Sequence, residues 1–127
     1  MFAQRYHKPE GADHKSYYVG GQMFGVRRIF PAKTYAEKIG TPFTITPELK
    51  DMAKRCSRAF GVELFGFDVV VSEGLPYVVD IQSFPGFKGV PDAALRLADY
   101  IYAAGQRLLN GEPLMSGGVT AVSGVAV

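Results

Sequence analysis

Two aspartates stand inside otherwise apolar runs, Gly66-Phe67-Asp68-Val69-Val70-Val71 and Tyr77-Val78-Val79-Asp80-Ile81-Gln82, twelve residues apart. Whether they act together depends on the reversal between them. A three-residue loop, Ser72-Glu73-Gly74, sends Asp68 and Asp80 to one face of a hairpin, roughly 5–8 Å apart as direct or diagonal neighbours. A two-residue loop sends them to opposite faces. Like charges opposed on a half-buried sheet are unfavourable unless something neutralises them. A divalent cation with oxygen ligands does so. Gln82, two residues beyond Asp80, adds an amide oxygen on the same face. Two carboxylates and an amide suit Mg²⁺ or Mn²⁺ better than Zn²⁺. The alternative is that each carboxylate simply meets solvent or a lysine, and spacing alone weighs the two readings about equally.

Cations converge on a second hairpin. Gly20-Gly21 tolerates positive φ and suits a two-residue turn between arms Lys15–Val19 and Gln22–Phe30. That turn pairs Lys15 with Val26 and Asp13 with Arg28. Asp13, Lys15, Tyr17, Phe24, Val26 and Arg28 then share one face, and Arg27 points to the other. Lys15 and Arg28 suit phosphate oxygens, Arg as a planar fork and Lys as a point charge. For the hairpin alone, a surface cluster in which Asp13 neutralises Arg28 is the better reading. His7 and His14 lie seven apart on an irregular stretch and make a poor metal pair. Cys56 falls on an apolar helical stripe and reads as packing. The phosphate-loop pattern GxxxxGK[ST] and the metalloprotease pattern HExxH are absent.

The elements that must hold these residues are legible. Phe2–Tyr6 reads as a short strand, followed by a polar loop and the first hairpin. Residues 32–45 show no clear periodicity and read as a connection. Thr46 as N-cap, Pro47 at the first helical position and Glu48 behind it start a helix that Gly61 stops. Leu49, Met52, Ala53, Cys56, Ala59 and Phe60 form its apolar stripe. Leu64–Val71 and Leu75–Gln82 read as strands, and Ser83–Val90 as a loop. A last helix from about Asp92 to Asn110 carries Leu95, Ala98, Ile101, Tyr102, Gly105, Leu108 and Leu109 on one side. The tail over 114–127 has no charge and reads as frayed or as an added strand. The pattern predicts an α+β fold, an antiparallel sheet with helices packed on one face. With 127 residues the chain builds one modest core. A formal net charge of +2 gives no reason to expect nucleic acid as the main partner. No run approaches the ~18 apolar residues of a membrane span, and no signal-peptide core is present. A single Cys excludes an internal disulfide framework. A cytoplasmic location is the expectation.

The stretch Val78-Val79-Asp80-Ile81-Gln82-Ser83-Phe84-Pro85-Gly86-Phe87-Lys88-Gly89-Val90-Pro91, with Gly66-Phe67-Asp68-Val69-Val70 before it, resembles the metal-binding end of ATP-grasp enzymes. The ribosomal-protein glutamate ligase type is the nearest in character, and inositol polyphosphate kinases of the same fold are also similar. Upstream, Ala3-Gln4-Arg5-Tyr6, Asp13-His14-Lys15-Ser16-Tyr17-Tyr18-Val19-Gly20 and Val26-Arg27-Arg28 resemble that family's adenine hinge and phosphate-facing hairpin, in the same order. The resemblance spans about residues 2–110. It implies that Asp68, Asp80 and Gln82 hold Mg²⁺ or Mn²⁺. Lys15 and Arg28 match the basic catalytic positions near the phosphates or the substrate, and Gln4, Arg5 and Tyr6 match the ATP hinge. His7 resembles a substrate-side position of the kinase branch. Gln82 stands where the family usually has Asn, which keeps the amide oxygen on an arm one methylene longer. The family's N-terminal substrate domain and glycine-rich lid have no counterpart in this sequence. The expectation is therefore the C-terminal part of an ATP-grasp protein, as a natural short homologue, a split subunit or an excised fragment, with a partial catalytic domain over 1–113 that forms a homo-oligomer or joins a complementing chain. Its implied activity is carboxylate–amine ligation through an acyl phosphate, with a small-molecule (inositol phosphate-like) kinase or a non-catalytic truncated binding or oligomerisation module as alternatives. ATP and an unidentified small-molecule or peptide acceptor are the implied partners.

Overall fold

The structure, a computed structural model, describes residues 1–29 and 31–115; the expected tail lies outside them from residue 116 onward. The elements are β1 (Asp13–Val19), β2 (Gln22–Arg28), α1 (Tyr35–Ile39), β3 (Thr41–Phe43), α2 (Pro47–Phe60), β4 (Leu64–Ser72), β5 (Leu75–Ser83) and α3 (Ala93–Leu109). The strands form one sheet in the order β3-β2-β1-β4-β5, and every neighbouring pair is antiparallel. The α+β class read from the sequence therefore holds.

The first hairpin has the expected register. Gly20 and Gly21 take φ of 53° and 95°, as a tight hairpin turn of this hand requires. Lys15 faces Val26 and Asp13 faces Arg28. Helix α2 also starts and stops as expected. Thr46 Oγ1 accepts a hydrogen bond from the Leu49 amide at 3.2 Å, and Gly61 closes the helix in the left-handed region, φ 64°. Leu49 and Ala53 are buried against Tyr18, Phe65, Phe67 and Val69, with Met52 and Cys56 at the margin. Ala59 and Phe60, expected on that stripe, are exposed.

The helices divide between the two sheet faces rather than sharing one. Strand alternation sends Tyr18 toward α2, and Tyr17 and Val19 to the other side. There Val26, Phe87 and Val90 join them, with Ala93, Leu97 and Tyr100 of α3 packed alongside. Central strand β1 is apolar on both faces at this end, so both faces need cover. The side of α3 that docks is also not the expected one. Leu95, Ala98, Ile101, Tyr102, Gly105, Leu108 and Leu109 are all exposed. Tyr100 decides the choice, since its hydroxyl donates to Glu63 Oε2 at 2.8 Å. Its ring closes over Gly20, where a Cβ would overlap it.

Two local expectations fail. Phe2–Tyr6 is not a strand. Residues 32–45 are not featureless: they hold α1 and β3. Thr34 and Glu37 form a reciprocal capping box at the start of α1, a four-residue signal present in the sequence. Strand β3 lays the Phe43 ring over Gly25 of β2, where a Cβ would collide with it. Among the described residues no helix is long and apolar enough to cross a membrane.

Candidate functional site

The site lies on the same sheet face as α3, beyond the part that α3 covers. A row of side chains crosses three strands there: Lys15 on β1 faces Asp68 on β4, and Asp68 faces Asp80 on β5. The two aspartates are thus direct cross-strand partners, although the loop between them is not the one expected. Ser72 pairs with Leu75, so the turn has two residues, Glu73 and Gly74, both at positive φ (52° and 74°). On a regular ladder this turn would put Asp68 opposite Val79. A β-bulge intervenes: Val69 pairs with Val78, and the next pair is Asp68 with Asp80. Val79 is the extra residue, and it returns Asp80 to the Asp68 face.

Lys15 Nζ lies 3.4 Å from Asp68 Oδ1, with both side chains mostly buried at 17% and 21% exposure. That ion pair lacks hydrogen-bond alignment, and Oδ1 is buried without a hydrogen-bond donor. Burial pushes the Asp68 carboxyl above its ordinary range; Lys15 pulls it back, while the carboxylates of Asp13 and Asp80 push it further up. Asp80 is exposed. Gln82 follows on the same face, opposite Gly66, and is exposed as well. Gly66 has no side chain because Pro85 and the Tyr17 ring occupy the space, 3.1 Å and 3.3 Å from where a Cβ would stand. The loop after β5 is thereby clamped onto the sheet. Phe84 and Phe87 in it hold left-handed φ of 45° and 49°, a conformation that costs of order 1–3 kcal/mol per residue.

The other candidates are distributed unevenly. Arg28 shares the face, but it does not pair with Asp13 among the described residues. Its Nη2 donates to Tyr17 Oη at 3.0 Å. Gln4, Arg5 and Tyr6 are exposed and lie in a segment that runs beside β5 without extending the sheet. Gln4 Nε2 donates to the carbonyl of Val79, the bulged residue, at 3.2 Å. His7 stacks on Tyr77, ring centres 3.8 Å apart and planes 16° from parallel. Tyr77 was not singled out from the sequence, because only the bulge sets its face relative to Asp80. His14 points the other way, edge-on to Phe43, so it forms no pair with His7. Burial pushes the half-buried Cys56 thiol up, in keeping with a packing role. Among the described residues no cluster of three or more His, Cys, Asp or Glu side chains is arranged around a common point. The oxygen donors of the open face include the carboxylates of Asp13, Asp68 and Asp80 and the Gln82 amide.

Residues 32–103 match the family described as the inositol 1,3,4-trisphosphate 5/6-kinase ATP-grasp domain. The chain belongs to this ATP-grasp family. The matched span contains Asp68, Asp80 and Gln82 and leaves Gln4, Lys15 and Arg28 outside it. Among curated proteins, inositol-tetrakisphosphate 1-kinase of Xenopus laevis is 34% identical over 61 residues, 46% of this chain and 15% of that protein. A protein named "Probable alpha-L-glutamate ligase" from Maridesulfovibrio salexigens is 29% identical over 102 residues, 72% of this chain and 34% of its own length. Among solved structures, the ATP-grasp ligase PsnB in complex with minimal precursor, Mg and ADP superposes with a TM-score of 0.64 at 22% identity, covering 76% of this chain and 34% of PsnB. A Chryseobacterium gregarium RiPP-associated ATP-grasp ligase, solved with ADP and a leader and core peptide, gives 0.58 at 17%, covering 89% and 38%. These structures share the fold. The chain spans between 15% and 38% of the length of each of these relatives.

Proposed function

We propose that residues 1–113 form the metal- and phosphate-facing portion of an ATP-grasp active site, which transfers the γ-phosphoryl group of ATP to a carboxylate for amide formation. The observation that carries this reading is Asp68 held directly opposite Asp80, its buried Oδ1 without a hydrogen-bond donor. Lys15 is ion-paired with Asp68 alone, and two carboxylates opposed on a half-buried face favour a further cation to share. The donors Asp68, Asp80 and the Gln82 amide are all oxygens, which fits Mg²⁺, or Mn²⁺ in its place. Bound there, the metal supplies positive charge to phosphate oxygens as charge develops in the transfer.

Asp68 and Asp80 hold the metal, and Gln82 adds its longer arm from the next position on the face. Lys15, beside Asp68, and Arg28 take phosphate oxygens as point charge and fork. Gln4, Arg5 and Tyr6, lying along β5, provide the adenine side. A substrate carboxylate oxygen attacks the γ-phosphorus, the bond to the β-phosphate oxygen breaks, and ADP leaves. An amine then attacks the acyl carbon of the acyl phosphate, expels phosphate and loses a proton to leave the amide. No side chain of this chain is a covalent nucleophile in that sequence. The rest of the nucleotide cleft and the acceptor pocket come from residues beyond these, in the same protein, a complementing chain or a second copy. A second reading, transfer to an alcohol of a small molecule, is favoured by the kinase family match over 32–103.

Calorimetric titration of Mg-ATP into the protein tests the site. Saturable, magnesium-dependent binding that weakens on Asp68→Asn and on Asp80→Asn is expected. Equal affinity in all three proteins, or binding indifferent to magnesium, overturns the assignment. Acceptor profiling separates the two chemistries: amine-dependent phosphate release marks the ligase, and a phosphorylated product without free phosphate marks the kinase.

A further inference from the structure

Arg28 sits directly across the β1–β2 ladder from Asp13, the arrangement in which opposite charges normally pair. Among the described residues they do not. The guanidinium instead turns along the sheet to Tyr17, whose hydroxyl accepts from Nη2 at 3.0 Å. Tyr17 is a firm anchor. It is 1% exposed, its ring lies against Phe87 with centres 5.4 Å apart, and it closes over Gly66 beside Pro85. Arg28 Nε is buried and has no acceptor. A buried donor left unmatched is costly unless a ligand supplies the acceptor.

We propose that Tyr17 is a positioning residue, whose buried hydroxyl draws the Arg28 guanidinium off Asp13 and holds it on the carboxylate face with its Nε–H free for an anionic oxygen. This rests on the reading of that face as a phosphate site. The phenol ring alone would fill the core equally well as Phe, so the hydroxyl has a use that packing does not explain. Without it, the Asp13 carboxylate directly across the ladder competes for Arg28. A guanidinium captured there is lost to the ligand.

Tyr17→Phe keeps the ring and removes only the hydroxyl. Its expected effect is about a tenfold loss of Mg-ATP affinity, equivalent to ~1.4 kcal/mol. Adding Asp13→Asn removes the competing acceptor, so the double variant recovers most of that loss, beyond any gain Asp13→Asn produces alone. A purely structural role for Tyr17 predicts no such recovery. Unchanged affinity in Tyr17→Phe, or a loss that Asp13→Asn leaves in place, sinks the proposal. The Arg28 Nε–H resonance, assigned with Arg28→Lys, gives a readout without nucleotide. It moves in Tyr17→Phe if the hydroxyl aims the guanidinium, and an unmoved signal refutes that. A protein that binds no Mg-ATP but shows the shift overturns the phosphate-site reading while leaving Tyr17 as the residue that orients Arg28.

Discussion

Asp68→Asn exchanges an interaction that costs folding for one that costs function. In the free protein its carboxylate faces Asp80 directly, and such like-charge pairs are unfavourable by ~0.2–1 kcal/mol. Its buried Oδ1 lacks a donor, a deficit of ~1–3 kcal/mol of which an amide recovers part by carrying no charge. Against this stands the imperfectly aligned ion pair with Lys15 at 3.4 Å between two mostly buried side chains, whose attraction burial outweighs, since the net pKa shift of Asp68 is upward. The balance favours Asn by about 1 kcal/mol, or roughly 3–5 °C in Tm for a domain of this size. Because burial raises the folded-state pKa of Asp68 above 3.8, the folded form binds its proton more readily than the unfolded form. The group's favourable contribution is full below the ordinary carboxylate value and is lost as pH rises through the raised one. The gain from Asn therefore appears at neutral pH and shrinks on acidification toward the ordinary carboxylate pKa. Urea unfolding of both proteins at neutral and mildly acidic pH, without metal or nucleotide, measures it. A lower midpoint for the Asn variant at neutral pH would mean that the Lys15 ion pair dominates, and the picture of a carboxylate held in reserve for a cation fails.

Asp80→Asn, at an exposed position, is expected to change stability by no more than ~0.5 kcal/mol, yet to weaken magnesium-dependent ATP binding by on the order of tenfold, ~1.4 kcal/mol; paired unfolding and titration measurements separate the two effects. Gly25→Ala pushes a methyl into the Phe43 ring and Ile45 and should cost ~1–3 kcal/mol in denaturant unfolding. Gly105→Ala is its counterpart: nothing lies within 4 Å of a Cβ there, and the helix should gain ~0.8–1 kcal/mol. Thr46→Ala removes the cap from the Leu49 amide and should cost ~1 kcal/mol, seen as a lower urea midpoint with an unchanged slope.

Features governed by neighbours in the chain were legible in the amino-acid sequence. The α+β class followed from alternation and helical spacing. Gly20-Gly21 determined the register that sets Lys15 opposite Val26, because two residues at positive φ leave one way to close that hairpin. Thr46, Pro47 and Gly61 marked both ends of α2 through local caps. The capping pair Thr34 and Glu37 was equally local and went unread. Features decided between elements were not legible. The two-residue turn at Glu73-Gly74 and the bulge at Val79 cancel one another in parity. Asp68 therefore meets Asp80, but for a reason that loop length alone contradicts. Which side of α3 docks was settled by Tyr100 reaching Glu63 over Gly20, not by the larger apolar stripe. The turning of Arg28 from Asp13 to Tyr17 depends on a hydroxyl four residues along the strand and on the loop that clamps its ring. Periodicity and caps are short-range and survive in one dimension. Bulges, docking faces and the aim of a long cation arise from competition among distant partners, and only the assembled fold brings those partners within reach of each other.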